Sequence, residues 1–232
     1  MRAGTGRSVT AMLLAGIIQQ QRADRVLLVD AAPGTGSVPA RLGVVPPRCL
    51  HDLATVRPHS WEEASGFLAR SKNGVWVLSQ TTIGAPLNYD TFQAAVGRLS
   101  RYVAVSVIDC PASPGSDLGN GVLASAHAQI LVAADALALQ EALAQLNANN
   151  RVSPLPRTVV ALTAPSRGAA TEIKQVQGLL AGTGIPFVRI PHDRHIAAGS
   201  TLDLDRAATA TRAAASALAA TAFDLSLMEK TP

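Results

Sequence analysis

Short, unbroken apolar runs alternate with helical patterns along nearly the whole chain, and this alternation constrains the fold more than any other feature. VLLVD (26–30), GVWVLSQ (74–80), YVAVSVIDCP (102–111), AQILVAA (128–134), RTVVALTAP (157–165) and IPFVRIP (185–191) are rich in β-branched residues and lack polar alternation. Such runs read as strands buried on both faces. Between them, apolar residues recur at helical spacing over 8–20, 89–101, 118–126, 137–149, 171–181 and 205–227, with shorter helices near 38–43, 50–54 and 61–69. In the first helix, Met12, Leu13, Ala15, Gly16 and Ile17 are expected to face inward. Strand–helix–strand succession demands crossover connections, hence an α/β fold: three layers, a mostly parallel twisted sheet with helices on both faces. The chain has 232 residues, 48% hydrophobic but only 3% aromatic, so the core must be built from Ala, Val and Leu.

In open parallel sheets ligands collect at the carboxyl ends of the strands. Two strand patterns end there in an acid, at Asp30 and Asp109. A glycine pair, Gly4 and Gly6, sits in the sequence GTGRS just ahead of the first helix. A phosphate loop needs glycines that turn successive backbone N–H groups inward, and a helix N-terminus directly behind. It also needs a cation for the β- and γ-phosphates and a hydroxyl for Mg²⁺. Ser8 supplies the hydroxyl, and Arg7 stands where a lysine is usual. A helix cap beside chance glycines would look the same in isolation, and either Asp would serve equally as a turn residue.

Three stretches, RAGTGRSVTAMLLAGII, DRVLLVDAAPGTGSVPARLG and YVAVSVIDCPASPGSDL, in that order and with the closing IPFVRIPHDRHIAAG, resemble the ParA/MinD family of deviant-Walker ATPases. The C-terminal part is similar to actinobacterial members, including those associated with type VII secretion. The resemblance spans residues 1–232 and implies a single P-loop NTPase-like domain. It implies ATP or ADP with Mg²⁺ as cofactor, held by Gly4, Thr5, Gly6, Arg7, Ser8 and Val9. The base would lie against Thr163, Pro191, His192 and Asp193. Ser8, Asp30 and Asp109 would take the Mg²⁺ side, and Arg2 would cross a homodimer interface. The family's loop reads K-G-G-x-G-K-[ST]; here both lysines are arginine, at Arg2 and Arg7. The guanidinium is planar and forked and does not simply replace a point-charge ammonium. The family's D-x-D strand end is Asp30-Ala31-Ala32, so Ala32 takes the water-activating place. Phosphoryl transfer rests on positioning and charge stabilisation, so weak or absent hydrolysis is expected, with Asp117 as an alternative water-positioning group should the protein be active. A scaffold that keeps only the fold is the third reading.

The family places a buried strand before the loop, at the centre of the sheet. Only Met1 to Ala3 precede Gly4, too few for a strand. Unless the natural start lies upstream or a partner supplies the strand, two neighbours are expected to face a groove with unpaired backbone groups.

Other function classes find less support. A net charge of +4 without a basic block makes nucleic acid a thinly supported partner, resting on the dispersed Arg98, Arg101, Arg151 and Arg157. The tail lacks the basic amphipathic pattern of a membrane helix. No run is long and apolar enough to span a bilayer, and no signal peptide is visible. His192, Asp193 and His195 could form a metal cluster, but a base-side loop is the better reading. Cys49 and Cys110 are read as incidental thiols of a cytoplasmic protein, with Cys110 a packing residue. Protein partners from a partition, division or secretion system follow from the resemblance alone.

Overall fold

The computed structural model describes residues 6–32, 38–80, 86–110, 116–148, 157–163 and 170–228. In chain order the elements are α1 (Arg7–Gln21), β1 (Val26–Asp30), α2 (Val38–Leu42), α3 (Leu50–Thr55), α4 (Trp61–Ser65), β2 (Ala69–Arg70), β3 (Trp76–Ser79), α5 (Tyr89–Leu99) and β4 (Val105–Asp109). They continue with α6 (Asp117–Ser125), β5 (Gln129–Ala133), α7 (Ala136–Ala148), β6 (Thr158–Thr163), α8 (Ala170–Leu180), β7 (Phe187–Ile190), α9 (Arg194–Ala197), a single 3-10 turn (Leu204–Arg206) and α10 (Thr209–Leu227). Local sequence explains several starts. Ser60, Asn88 and Ser116 each accept an amide hydrogen bond from the first turn behind them, which satisfies a donor the helix itself cannot use.

The expected parallel pattern holds, with every strand pair parallel except the short β2–β3 hairpin. The strands fall into two groups, ordered β2-β3-β1-β4 and β5-β6-β7. Among the described residues no strand joins β4 to β5. A cavity of about 650 Å³ occupies the break, lined by β4 from Val105 to Asp109 and by β5 from Gln129 to Val132. Its walls are helices on both faces, including α1 and α10 on one side and α5 and α6 on the other.

Three clusters of side chains build the core. Val26 and Leu28 of β1, Val77, Val107, Val132, Val159 and Ala161 pack under α1 and α10 in one cluster that bridges both sheets. Leu27 and Val29 point the other way, into a cluster under α3, α5 and α6. Leu131, Val160 and Leu162 do the same under α7 and α8. Alternation to opposite faces with both faces buried is what a continuous apolar strand requires. The α1–α10 layer therefore spans the two sheets. α1 suits that place because Thr10 to Ile18 are buried all round, not on one stripe as its period implied. Each fully buried Leu or Met there contributes roughly 1.5–3 kcal/mol. Gly16 of α1 permits a close approach: a Cβ at that position would lie 2.4 Å from Leu204 Cδ1.

The sequence reading needs small corrections. The helix expected through Ala69 stops at Ser65, and Ala69–Arg70 instead pairs with β3. The strand expected from Tyr102 begins at Val105. The PHDRH loop contains a short helix, α9, and the tail helix starts at Thr209 after the 3-10 turn. Arg2, Gly4, Thr5 and Arg151 lie outside the described residues.

Candidate functional site

The carboxyl edge of the strands collects most of the residues singled out by the sequence. Asp30 and Asp109 are directly opposite in the parallel β1–β4 register. Both are almost completely buried, at 3% exposure each. Asp30 Oδ2 accepts from the Val38 amide at 3.1 Å, and the Ser79 hydroxyl, which donates to the Gln80 carbonyl, lies beside the same carboxylate. Burial first, and the neighbouring Asp109 second, push Asp30 from its ordinary 3.8 up to about 6. Burial likewise raises Asp109, opposed by a hydrogen bond from Ser8 and by the nearby Arg7 charge. Asp109 Oδ2 is buried with no hydrogen-bond partner among the described residues. Two desolvated carboxylates, one with an open oxygen and one beside a hydroxyl, are a donor set suited to a hard divalent cation.

The start of α1 meets this pair. Gly6 takes a left-handed conformation with φ 82°, and no described side chain caps the helix. The first turn carries no acid, so the amide groups of Arg7, Ser8 and Val9 and the positive end of the helix dipole are not offset by a side-chain anion. A Cβ on Gly6 would meet Thr163 Cγ2 at 3.2 Å. Thr163 is paired in register with Ile190, so Pro191 and His192, which follow directly, leave the sheet at the same edge. The structure thus brings Gly6, Ser8, Val9, Asp30, Asp109, Thr163 and the 191–193 loop to one rim. Residues of this kind fit a phosphate with its Mg²⁺: a Cβ-free turn, an uncapped helix start, and an unpartnered buried carboxylate oxygen.

Four residues take roles that the sequence did not reveal. Arg7 donates from Nη1 to the Cys110 carbonyl at 2.9 Å, so the cation expected to face phosphate is tied to the end of β4. Asp193 accepts from the amides of His195 (2.9 Å), Ile196 (3.3 Å) and Ala208 (2.7 Å). It therefore anchors α9 and the start of α10 and has little left for a base. His195 Nε2 accepts from the Asp203 amide at 3.1 Å, and among the described residues no three His, Cys, Asp or Glu side chains converge as metal ligands. His195 is thus engaged within the fold through its Nε2. Asp117, the alternative water-positioning group, sits in the first turn of α6 and accepts from the Tyr89 amide at 3.2 Å. The sequence reading missed Ser79 and Val38, whose contacts with Asp30 come from separate elements and leave no local pattern.

Two of the arginines considered for DNA are engaged elsewhere. Arg98 donates to the carbonyls of Leu53, Ala54 and Val56, closing the C-terminus of α3. Arg157 donates to the Ala126 carbonyl at 2.8 Å and to that of His127 at 3.3 Å. The DNA expectation thus loses both, because their guanidiniums hold the fold. Burial pushes the Cys110 thiol up to about 11, which suits packing and not nucleophilic chemistry. No helix among the described residues is long and apolar enough to cross a membrane.

The ParA family ATPase of Chlorobium tepidum TLS superposes with a TM-score of 0.72 over 98% of this chain and 94% of that one, at 16% identity. The fold is that of the ParA/MinD ATPases. Cobyrinic acid a,c-diamide synthase from Mycobacterium smegmatis, solved with a bound ATP analog and magnesium, gives a TM-score of 0.66 at 21% identity over 94% of this chain and 90% of that one. By sequence, the chain is 25% identical over 223 residues to the ESX-1 secretion-associated protein EspI of Mycobacterium tuberculosis, covering 88% of this chain. The chain spans about a third of that relative's length, 32%. No protein-family model matches.

Proposed function

We propose that the chain is a ParA/MinD-type nucleotide-binding domain in which hydrolysis is weak or lost, serving positioning, partition or secretion-system assembly through protein partners. The observation that carries this reading is the buried Asp30–Asp109 pair beside Ser8 and the uncapped start of α1. Gly6, Arg7, Ser8 and Val9 would hold the phosphates, together with Gly4 and Thr5. Ser8, Asp30 and Asp109 would take the Mg²⁺ side, and Thr163, Pro191 and His192 the base. Bound Mg²⁺ would neutralise phosphate charge. Weak hydrolysis follows from two features: Ala32 has no group to orient water, and Arg7 is held by the Cys110 carbonyl. Losing a water-orienting group costs on the order of 10²–10⁴ in rate. Structural likeness to a protein solved with an ATP analog and magnesium supports nucleotide as the ligand class. The sequence similarity to EspI favours secretion among the pathways. By the same reading the chain is one domain, cytoplasmic, and pairs with a second copy through Arg2.

Thermal denaturation with ATP or ADP and Mg²⁺ tests the binding half, since a ligand that binds only the folded state must raise the midpoint. The expected result is a rise that disappears in Ser8→Ala and Asp109→Asn. No rise with either nucleotide would leave a ligand-free scaffold. Phosphate release from ATP tests the other half: Mg²⁺-dependent turnover at rates ordinary for ATPases, abolished by Asp109→Asn, would overturn the claim of weak hydrolysis.

A further inference from the structure

The opposite edge of the first sheet, at the amino ends of its strands, holds a second concavity of about 630 Å³. It is formed by the turn before β1, the start of α4, β2, the start of β3 and the turn before β4. Three aromatic rings make its floor. Trp61 meets Trp76 edge-on with centroids 4.8 Å apart, and Tyr102 lies 6.2 Å from Trp61. A guanidinium lies over each ring: Arg25 at 4.3 Å from the Trp61 centroid, Arg70 at 5.4 Å from Trp76, and Arg101 at 5.3 Å from Tyr102. All three arginines are exposed, while the rings are half-buried.

These charges are poorly matched from within. Asp24, the carboxylate lining the concavity, is paired with Arg22 at 2.7 Å. Arg25 also reaches the Tyr102 carbonyl at 3.4 Å and lowers the fully exposed Glu62 carboxyl, after that group's own hydrogen bonds. Arg70 and Arg101 have no ion pair among the described residues. Elsewhere Arg98 and Arg157 are engaged on carbonyls. Cation–π attraction keeps each guanidinium beside its ring, and a forked guanidinium that is also exposed can pair with a carboxylate two-pronged. Like charges converging on one concavity also repel, so an anion seated there gains twice.

We infer that this basin docks an acidic peptide segment of a protein partner, one presenting two or three neighbouring Asp or Glu side chains. A peptide is favoured over nucleic acid because single-stranded nucleic acid binds largely by stacking bases on open ring faces, and these faces are already covered by arginine. The basin is on the edge opposite Asp30 and Asp109.

Trp61 and Trp76 are the chain's two tryptophans, which makes intrinsic fluorescence a direct reporter. Titration of the full chain with a hexaglutamate peptide is expected to give a saturable change in tryptophan emission. In the double variant Arg70→Gln, Arg101→Gln the affinity falls about tenfold or more, while Arg206→Gln, outside the basin, leaves it unchanged. The charge-preserving pair Arg70→Lys, Arg101→Lys weakens binding severalfold, because the fork is lost and the charge kept; this pair also carries the test should the Gln variant fail to fold. The inference is overturned by the absence of a saturable change, by an equal response in the Lys and Gln variants and the parent chain, or by a twelve-residue oligothymidylate binding more tightly than the peptide.

Discussion

Replacing Asp30 by Asn should stabilise the protein, and by an amount that depends on pH. In the native state Asp30 is pushed from 3.8 up to about 6 by burial and by Asp109. A rise of that size corresponds to about 3 kcal/mol of penalty on the ionised form. The sign follows from proton binding: between the two values the folded chain holds a proton that the unfolded chain has released. Stability from this group therefore falls as pH rises from about 4 to about 6, and the full penalty persists above. Carboxyls held low, such as Asp52 and Asp193, act in the other direction but below this window. Asn keeps an oxygen for the Val38 amide at 3.1 Å and offers Asp109 a donor in place of a like charge. Urea denaturation should show Asp30→Asn more stable than the parent by about 3 kcal/mol near pH 7.5, shrinking to about 1 kcal/mol near pH 4.5. An equal gain at both pH values would mean that ionisation is not its source. A loss near pH 7.5 would refute the argument that the carboxylate pair is held at a cost to stability, which is the mark of a binding site.

Two further outcomes follow from packing. Gly16→Ala places a methyl 2.4 Å from Leu204 Cδ1, and Leu204 is fully buried and cannot swing into solvent. A loss of about 1–3 kcal/mol from overpacking should outweigh the roughly 1 kcal/mol gain in helix propensity, as read by chemical denaturation. Extending the chain ahead of Gly4 with a five-residue Val/Ile strand should fill the break between β4 and β5, raise the thermal midpoint, and slow amide exchange in both strands by about tenfold or more; unchanged exchange there, measured by mass spectrometry, would show that the break does not accept a strand.

The parallel architecture was legible because buried parallel strands leave an unmistakable record: VLLVD and TVVALT have no polar face to show. The edge on which chemistry gathers was legible for the same reason, since Asp30 and Asp109 end such runs. Short elements were less so. The two residues of β2 carry no period, and α9 is set by the Asp193 cap, not by its own pattern.

Sequence by itself determined the alternation of buried strands and helices, and that Asp30 and Asp109 end two of those strands. Only the tertiary structure decided what the charged groups do. Arg7 meets the Cys110 carbonyl 103 positions away, Arg98 closes a helix some 45 positions distant, and Arg25, Arg70 and Arg101 converge over three rings at the far edge. The physical reason is range. Burial is a property that each residue carries in its own chemistry, and periodicity exposes it locally. The partner of a long, flexible cation is fixed only once distant segments are folded beside it, and nothing in the spacing of the arginines foretells which carbonyl, ring or anion that will be.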